Sequence, residues 1–173
     1  HGTDRGLVAG LLGMRPDDER IPDSFEIARK MGLSYSFGIA NLTSAHPNSV
    51  VLEVKGKSGR TLEVQACSLG GGRIMINRLD GLDVNCSCEI PTLIVHNLDQ
   101  PGHVAEVTSM LAHKSVNIAN MSLYRDKRGG SAVMVVEMDQ PLPKESLEWL
   151  EHLEGIVKVT YINVTEGEED DVL

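Results

Sequence analysis

Apolar positions in the first third of the chain recur at helical spacing before they begin to alternate. Leu7, Val8, Leu11, Leu12 and Met14 belong to a stretch that predicts a helix over residues 6–14, with Thr3 or Asp4 placed to cap its first turn. Pro16, Asp17 and Asp18 interrupt it. Asp23-Ser24 then open a second helix that runs to about Lys30 and stops at Gly32. From Leu33 the period becomes two, with Tyr35, Phe37 and Ile39 alternating with small or polar residues as in a strand. Residues 50–54 and 61–66 flank Gly56-Lys57-Ser58-Gly59, which predicts a hairpin. Gly70, Gly71 and Gly72 precede a strand over 73–77, and Asp80-Gly81 turn the chain into another over 82–86. The first half therefore reads as helices followed by a mostly antiparallel sheet.

The second half has a different rhythm. A strand is predicted over 90–96, with Pro91 suited to its start. Pro101-Gly102 open a helix to about His113, and Asp99 is placed to cap it. Strands over 116–123 and 131–138 follow, then a helix over 145–153 ended by Gly155 and a last strand over 156–164. The order βαββαβ in about 75 residues predicts a ferredoxin-like sandwich. The fold class is α+β, with one domain over 1–88, a second over 90–165 and a tail over 166–173.

Charge supports that division. Residues 1–88 carry ten basic and ten acidic side chains, whereas 89–173 carry six and fifteen. Five of the acids lie between Glu166 and Asp171, a solvated end with nothing apolar to anchor it. The net charge of −9 excludes a phosphate-backbone partner, which needs clustered Lys and Arg, so no nucleic acid is expected. No run approaches the roughly 18 apolar residues of a membrane span. Aromatic residues are only 3%, so the core must be built from Val, Ile, Leu and Met. Cys67, Cys86 and Cys88 make no even disulfide framework, and the apolar stretch 7–14 lacks the basic flank and cleavage site of a signal peptide. A reducing cytoplasm fits these features. The six histidines show neither H-x3-H nor H-E-x-x-H spacing, and no metal site is expected on this chain.

Three short polar constellations stand at the mouths of elements: His1-Gly2-Thr3-Asp4, His46-Pro47-Asn48-Ser49 and Ser68-Leu69-Gly70-Gly71-Gly72-Arg73. Three consecutive glycines let backbone amides approach a ligand closely. Proline holds His46 extended, and Asn48 offers both a donor and an acceptor.

The stretch His96-Asn97-Leu98-Asp99-Gln100-Pro101-Gly102, followed by Ser115-Val116-Asn117-Ile118, resembles the ACT domain of amino-acid metabolism. Such domains pair side by side and bind an amino acid at the interface. The resemblance therefore implies a homodimer and an effector site at Asn97, Asp99 and Asn117. Asn97 and Asp99 differ from the residues of the best-known serine-binding version, so the effector is L-serine or another amino acid.

Taken together and in order, the three constellations and the ACT-like half resemble the β subunit, or β domain, of the bacterial iron–sulfur L-serine dehydratases. Ala9-Gly10-Leu11-Leu12-Gly13 belongs to the same resemblance, and Ser49 stands where threonine is usual. The resemblance implies an allosteric-substrate-binding-like first domain and α,β-elimination of L-serine to pyruvate and ammonia. It implies His1 and His46 as candidates for acid–base work or carboxylate recognition, and Thr3, Asp4, Asn48, Ser68, Gly70, Gly71 and Gly72 as substrate-binding positions. The [4Fe–4S] cluster that acts as Lewis acid is held, on this resemblance, by cysteines of a partner α subunit. This chain would then be inactive alone. His1 falls inside a motif, so a further segment is expected before it. Two rival readings are a regulatory module of a D-3-phosphoglycerate dehydrogenase, which also joins this kind of domain to an ACT domain, and a free-standing amino-acid sensor. No dinucleotide-binding G-x-G-x-x-G occurs in the chain.

Overall fold

The computed structural model describes residues 2–43 and 45–164. His1 and the acidic tail 166–173 lie outside the described residues. The chain divides into two compact units, 1–43 and 44–173. The expected division at 88–90 falls inside the second unit, between its two sheets.

The first unit is a helix pair. Helix α1 spans Thr3–Leu11, a 3-10 turn spans Ile21–Asp23, and α2 spans Ser24–Met31. Small residues make the contact: Val8, Ala9, Ser24 and Ala28 are all buried. The Ser24 hydroxyl donates to the Arg5 carbonyl at 3.1 Å. Gly32 closes α2 in the left-handed conformation, as its sequence position predicts. Two expectations are corrected. Thr3 and Asp4 lie inside α1 rather than capping it; the N-cap is Gly2, and no side chain caps the helix. Residues 33–42 form no strand. Alternation marks which side chains share a face, but a strand also needs a pairing partner. Tyr35 and Phe37 instead pack on Phe25 of α2, with ring centroids 5.3 and 6.2 Å away.

The second unit begins with a four-stranded antiparallel sheet in the order β1 (Ser49–Lys55), β2 (Thr61–Gly70), β3 (Arg73–Leu79) and β4 (Leu82–Cys86). The predicted hairpin pairs Lys55 with Thr61 across Gly56–Arg60. A second sheet follows, built from β5 (Thr92–Leu98), β6 (Ile118–Arg125), β7 (Ser131–Met138) and β8 (Ile156–Ile162). Its order is β6-β7-β5-β8, and helices α3 (His103–His113) and α4 (Lys144–Glu151) complete the βαββαβ sandwich.

The second sheet is covered on both faces. Leu93, Val95, Met134, Val136 and Met138 pack with Val107, Leu111 and Leu150 of the helices. Ile94, Val133 and Val135 pack with Ile76, Leu79, Val84 and Cys86 of the first sheet. This is why the central strands β5 and β7 read as near-continuous apolar runs while the edge strands β6 and β8 are mixed.

A polar seam joins the two sheets. Lys158 Nζ donates to Asp80 Oδ2 at 2.6 Å and to the Thr61 carbonyl at 2.5 Å. Asp80 Oδ1 accepts the Glu63 N–H at 2.9 Å, and Arg60 Nη2 donates to the Val159 carbonyl and to Thr160 Oγ1. Burial pushes the Asp80 carboxyl up, but the Glu63 amide and the Lys158 ammonium outweigh it and hold it below the ordinary range. His96 is buried on the same seam, with Nε2 3.7 Å from Asp80 Oδ2 and Lys158 and Arg60 also nearby. Burial pushes its pKa down, against the pull of Asp80.

The sign of the resulting pH dependence follows. Unfolded His96 takes up a proton near about pH 6.5, whereas the folded form does so only at lower pH. Between those values the unfolded state binds more protons, so stability falls as pH falls through this window. Asp80, ionised throughout it, adds nothing to the slope there. His96→Gln is expected to reduce the loss of stability between about pH 7.5 and 5.5, measured as urea midpoints at each pH. An unchanged difference would mean that His96 contributes nothing to the slope.

Candidate functional site

Two of the three polar constellations meet at one end of the first sheet. Ser49 pairs with Cys67 where β1 begins and β2 nears its end. One step further, the Ser68 N–H donates to the Asn48 carbonyl at 3.0 Å. His46, Asn48, Ser68 and the triple glycine are thus neighbours, and all are exposed. The third constellation belongs to the other unit: Gly2 is the N-cap of α1, with Thr3 and Asp4 exposed in its first turn. Asp4 Oδ1 accepts the Arg5 N–H at 2.9 Å.

The loop fixes the His46 imidazole. The Asn48 N–H donates to His46 Nδ1 at 3.2 Å, and the Ser49 hydroxyl donates to the His46 carbonyl at 2.6 Å. An imidazole that accepts at Nδ1 while neutral carries its proton on Nε2. The ring therefore presents an N–H donor to whatever lies beyond it.

The glycines have a conformational explanation. Gly71 and Gly72 join β2 to β3, and both have positive φ, 62° and 77°. That is the requirement of a type I′ hairpin turn. Gly70, at φ 83°, precedes them where the register shifts by one residue. A Cβ at any of the three would meet nothing within 4 Å, and the Gly70 N–H donates to Ser68 Oγ at 3.4 Å.

The three effector candidates are not brought together within one chain. Asn97 is 4% exposed, and its Nδ2 donates to the Leu98 carbonyl at 2.7 Å, while its Oδ1 is buried without a hydrogen-bond partner. Asp99 does not cap α3, whose N-cap is Gly102 with no side-chain cap. It turns instead to the β6–β7 hairpin, where Oδ2 accepts the Gly129 N–H at 2.9 Å and Arg125 Nη1 at 3.1 Å. The Gly129 amide and the Arg125 guanidinium hold its carboxyl below the usual range. Asn117 Nδ2 donates to Asp139 Oδ2 at 2.6 Å at the other end of β7. Asp99 and Asn117 are therefore separated by the length of that strand, more than about 20 Å.

His103, the first residue of α3, is buried. Its Nδ1 lies 2.9 Å from Glu106 Oε2, and its Nε2 is buried without a partner.

The donors of this chain do not fit an iron–sulfur cluster. A cluster that acts as a Lewis acid keeps one iron open and still needs three thiolates converging on it. Here the thiols of Cys86 and Cys88 lie 3.3 Å apart in the core, hydrogen-bonded to each other. Among the described residues no group of three or more His, Cys, Asp or Glu side chains could hold a metal ion. No helix among them is long and apolar enough to cross a membrane.

The second unit is thus a βαββαβ sandwich packed on a second antiparallel sheet that carries an exposed polar loop cluster. Residues 91–154 match the ACT domain family. The L-serine dehydratase beta chain of Peptoniphilus asaccharolyticus is 34% identical over 165 residues, 95% of this chain and 74% of that one. The probable L-serine dehydratase beta chain of Bacillus subtilis is 34% identical over 162 residues, 94% of this chain and 73% of that one. This chain belongs to the family of L-serine dehydratase beta chains. A D-3-phosphoglycerate dehydrogenase of Bacillus subtilis is 25% identical over 92% of this chain but only 30% of its own length.

Proposed function

We propose that this chain positions L-serine for α,β-elimination to pyruvate and ammonia, as the subunit without the cluster, and that a partner α subunit holds a [4Fe–4S] cluster. The carrying observation is the hydrogen bond from Ser68 to Asn48, which holds two of the three polar constellations side by side. In this reading His46 Nε2–H, the Asn48 side chain, the Ser68 hydroxyl and the amides of Gly71 and Gly72 receive the substrate carboxylate, and the Gly70 N–H, which donates to Ser68 Oγ at 3.4 Å, orients that hydroxyl. The engaged Nδ1 favours recognition by His46 over proton abstraction, because the remaining ring nitrogen already carries its proton. Thr3 and Asp4 are further substrate-binding candidates in this reading, and His1 is the remaining candidate for the acid–base role.

Residues 90–165 form the regulatory domain in this reading, and residues 1–88 the substrate domain. Antiparallel pairing of two copies through the edge strand β6 would bring Asn117 of one copy to the Arg125–Asp99 end of the other. That supports a homodimer with an amino-acid effector at Asn97, Asp99 and Asn117. The working compartment is the cytoplasm.

The test is pyruvate formation from L-serine. The chain alone is expected to give none, and the chain combined with an iron–sulfur α subunit is expected to turn over. Activity of the isolated chain, or none in the combination, would overturn the reading. The match to a D-3-phosphoglycerate dehydrogenase over 92% of this chain favours, as the second reading, a purely regulatory module. L-Serine binding by the chain together with an inactive combination would select it.

A further inference from the structure

Cys86 and Cys88 take no part in the site proposed above. Their thiols are 3.3 Å apart, and the residues are 1% and 6% exposed. A disulfide needs about 2.05 Å between sulfurs, so closure requires a movement of only about 1.2 Å. Cys86 is the last residue of β4, and Cys88 has the left-handed φ of 57°, which turns its side chain back toward its neighbour. We propose that these two residues form a dithiol that interconverts with an intrachain disulfide by exchange with a small-molecule disulfide.

The two sulfurs are chemically unequal. The hydrogen bond from Cys88 is the main reason that the Cys86 thiol is pulled down to about 7, while the same contact and burial push Cys88 up. Glu137, the carboxylate near both, works against ionisation of either, and Thr92 assists Cys86. Cys86 is thus the attacking thiolate and Cys88 the resolving thiol. Access comes from the position of the pair. Cys86 ends the edge strand β4, and residues 87–91 belong to no helix or strand. Asn85, Glu89 and Ile90 beside the pair are exposed. Local opening of this linker admits a small reagent without unfolding the sheets.

The Cys86 thiolate attacks one sulfur of the reagent, whose S–S bond breaks and releases one thiolate. Cys88 gives up its proton to that thiolate and attacks the Cys86 sulfur of the mixed disulfide, expelling the second. Two protein thiols are oxidised, and one disulfide is reduced to two thiols.

The experiment exposes the intact folded chain to oxidised glutathione, then denatures and alkylates it for mass spectrometry. The expected product has lost two hydrogens and keeps one alkylatable cysteine, Cys67, with a closed Cys86–Cys88 peptide. Cys88→Ser should accumulate a stable glutathione adduct on Cys86, and Cys86→Ser should react at least about tenfold more slowly. Circular dichroism on each sample reports that the chain is folded. Three alkylatable thiols in the exposed wild-type chain would overturn the proposal. So would an adduct on Cys67 with the pair intact, or oxidation seen only once the dichroism signal is lost.

Discussion

Gly155→Ala is expected to lower the unfolding free energy of the chain by about 3 kcal/mol. Two costs add. Gly155 has φ 82°, where a residue with a Cβ loses roughly 1–2 kcal/mol. The new methyl would also lie 2.6 Å from Cε1 and Nε2 of the His103 ring, an overpacking that costs about 1–3 kcal/mol. The ring has little freedom to move, because it is buried and held to Glu106 at 2.9 Å. Nor does Gly155 itself, whose carbonyl accepts the Leu98 N–H at 2.9 Å. Urea unfolding followed by circular dichroism measures the change. The double variant with His103→Ala should recover the steric part relative to His103→Ala alone and leave the backbone part. A single variant within about 1 kcal/mol of wild type would overturn both the backbone and the packing cost.

The second large effect concerns the proposed substrate site. His46→Ala, in the chain combined with the proposed cluster-bearing partner, is expected to lower kcat/KM for L-serine by about tenfold to a hundredfold. That range corresponds to the loss of one hydrogen bond to a charged group, about 1.5–3 kcal/mol. His46→Gln separates the two possible roles. A glutamine amide keeps an N–H donor at similar reach and should restore much of the loss if the ring recognises the carboxylate. It cannot serve as a base and would restore nothing if the ring moves a proton. Unchanged kinetics in His46→Ala would remove His46 from the site.

Much of this architecture was legible because local chemistry and tertiary pairing agree. Gly56–Gly59 between two alternating runs is a turn whatever surrounds it, and β1 and β2 pair as read. Gly32 likewise ends α2 where a left-handed residue is needed. Failures came where a side chain had a better partner than the nearest one in sequence. Asp99 stands correctly to cap α3, yet Arg125 and the Gly129 amide, some 30 residues away, take its carboxylate. Tyr35 and Phe37 alternate as a strand does, but the ring of Phe25 supplies the contact that a neighbouring strand would have. At the candidate site, the adjacency of Asn48 and Ser68 depends on which ends of β1 and β2 pair, and the hairpin makes that readable. The separation of Asn117 from Asp99 depends on the order β6-β7-β5-β8, which the βαββαβ pattern implies but side-chain chemistry does not reveal.

The double covering of β5 and β7 bears on how those strands find their alignment during folding. A strand with one wet face is aligned by polarity, since a slip of one residue would drive charges into the core. Here a slip by one would exchange one apolar set for another along most of each strand, and polarity would object at only a few positions, His96 and Glu137 among them. Side-chain bulk must carry the information instead. Met134 and Met138 lie on the helix side of β7, whereas the shorter Val133 and Val135 lie against the first sheet. Exchanging the two sets would crowd long thioether chains between the sheets and leave voids beneath the helices, and each error costs stability. The two cores are thus told apart by volume, and β7 acts as a gauge with a thick side and a thin one.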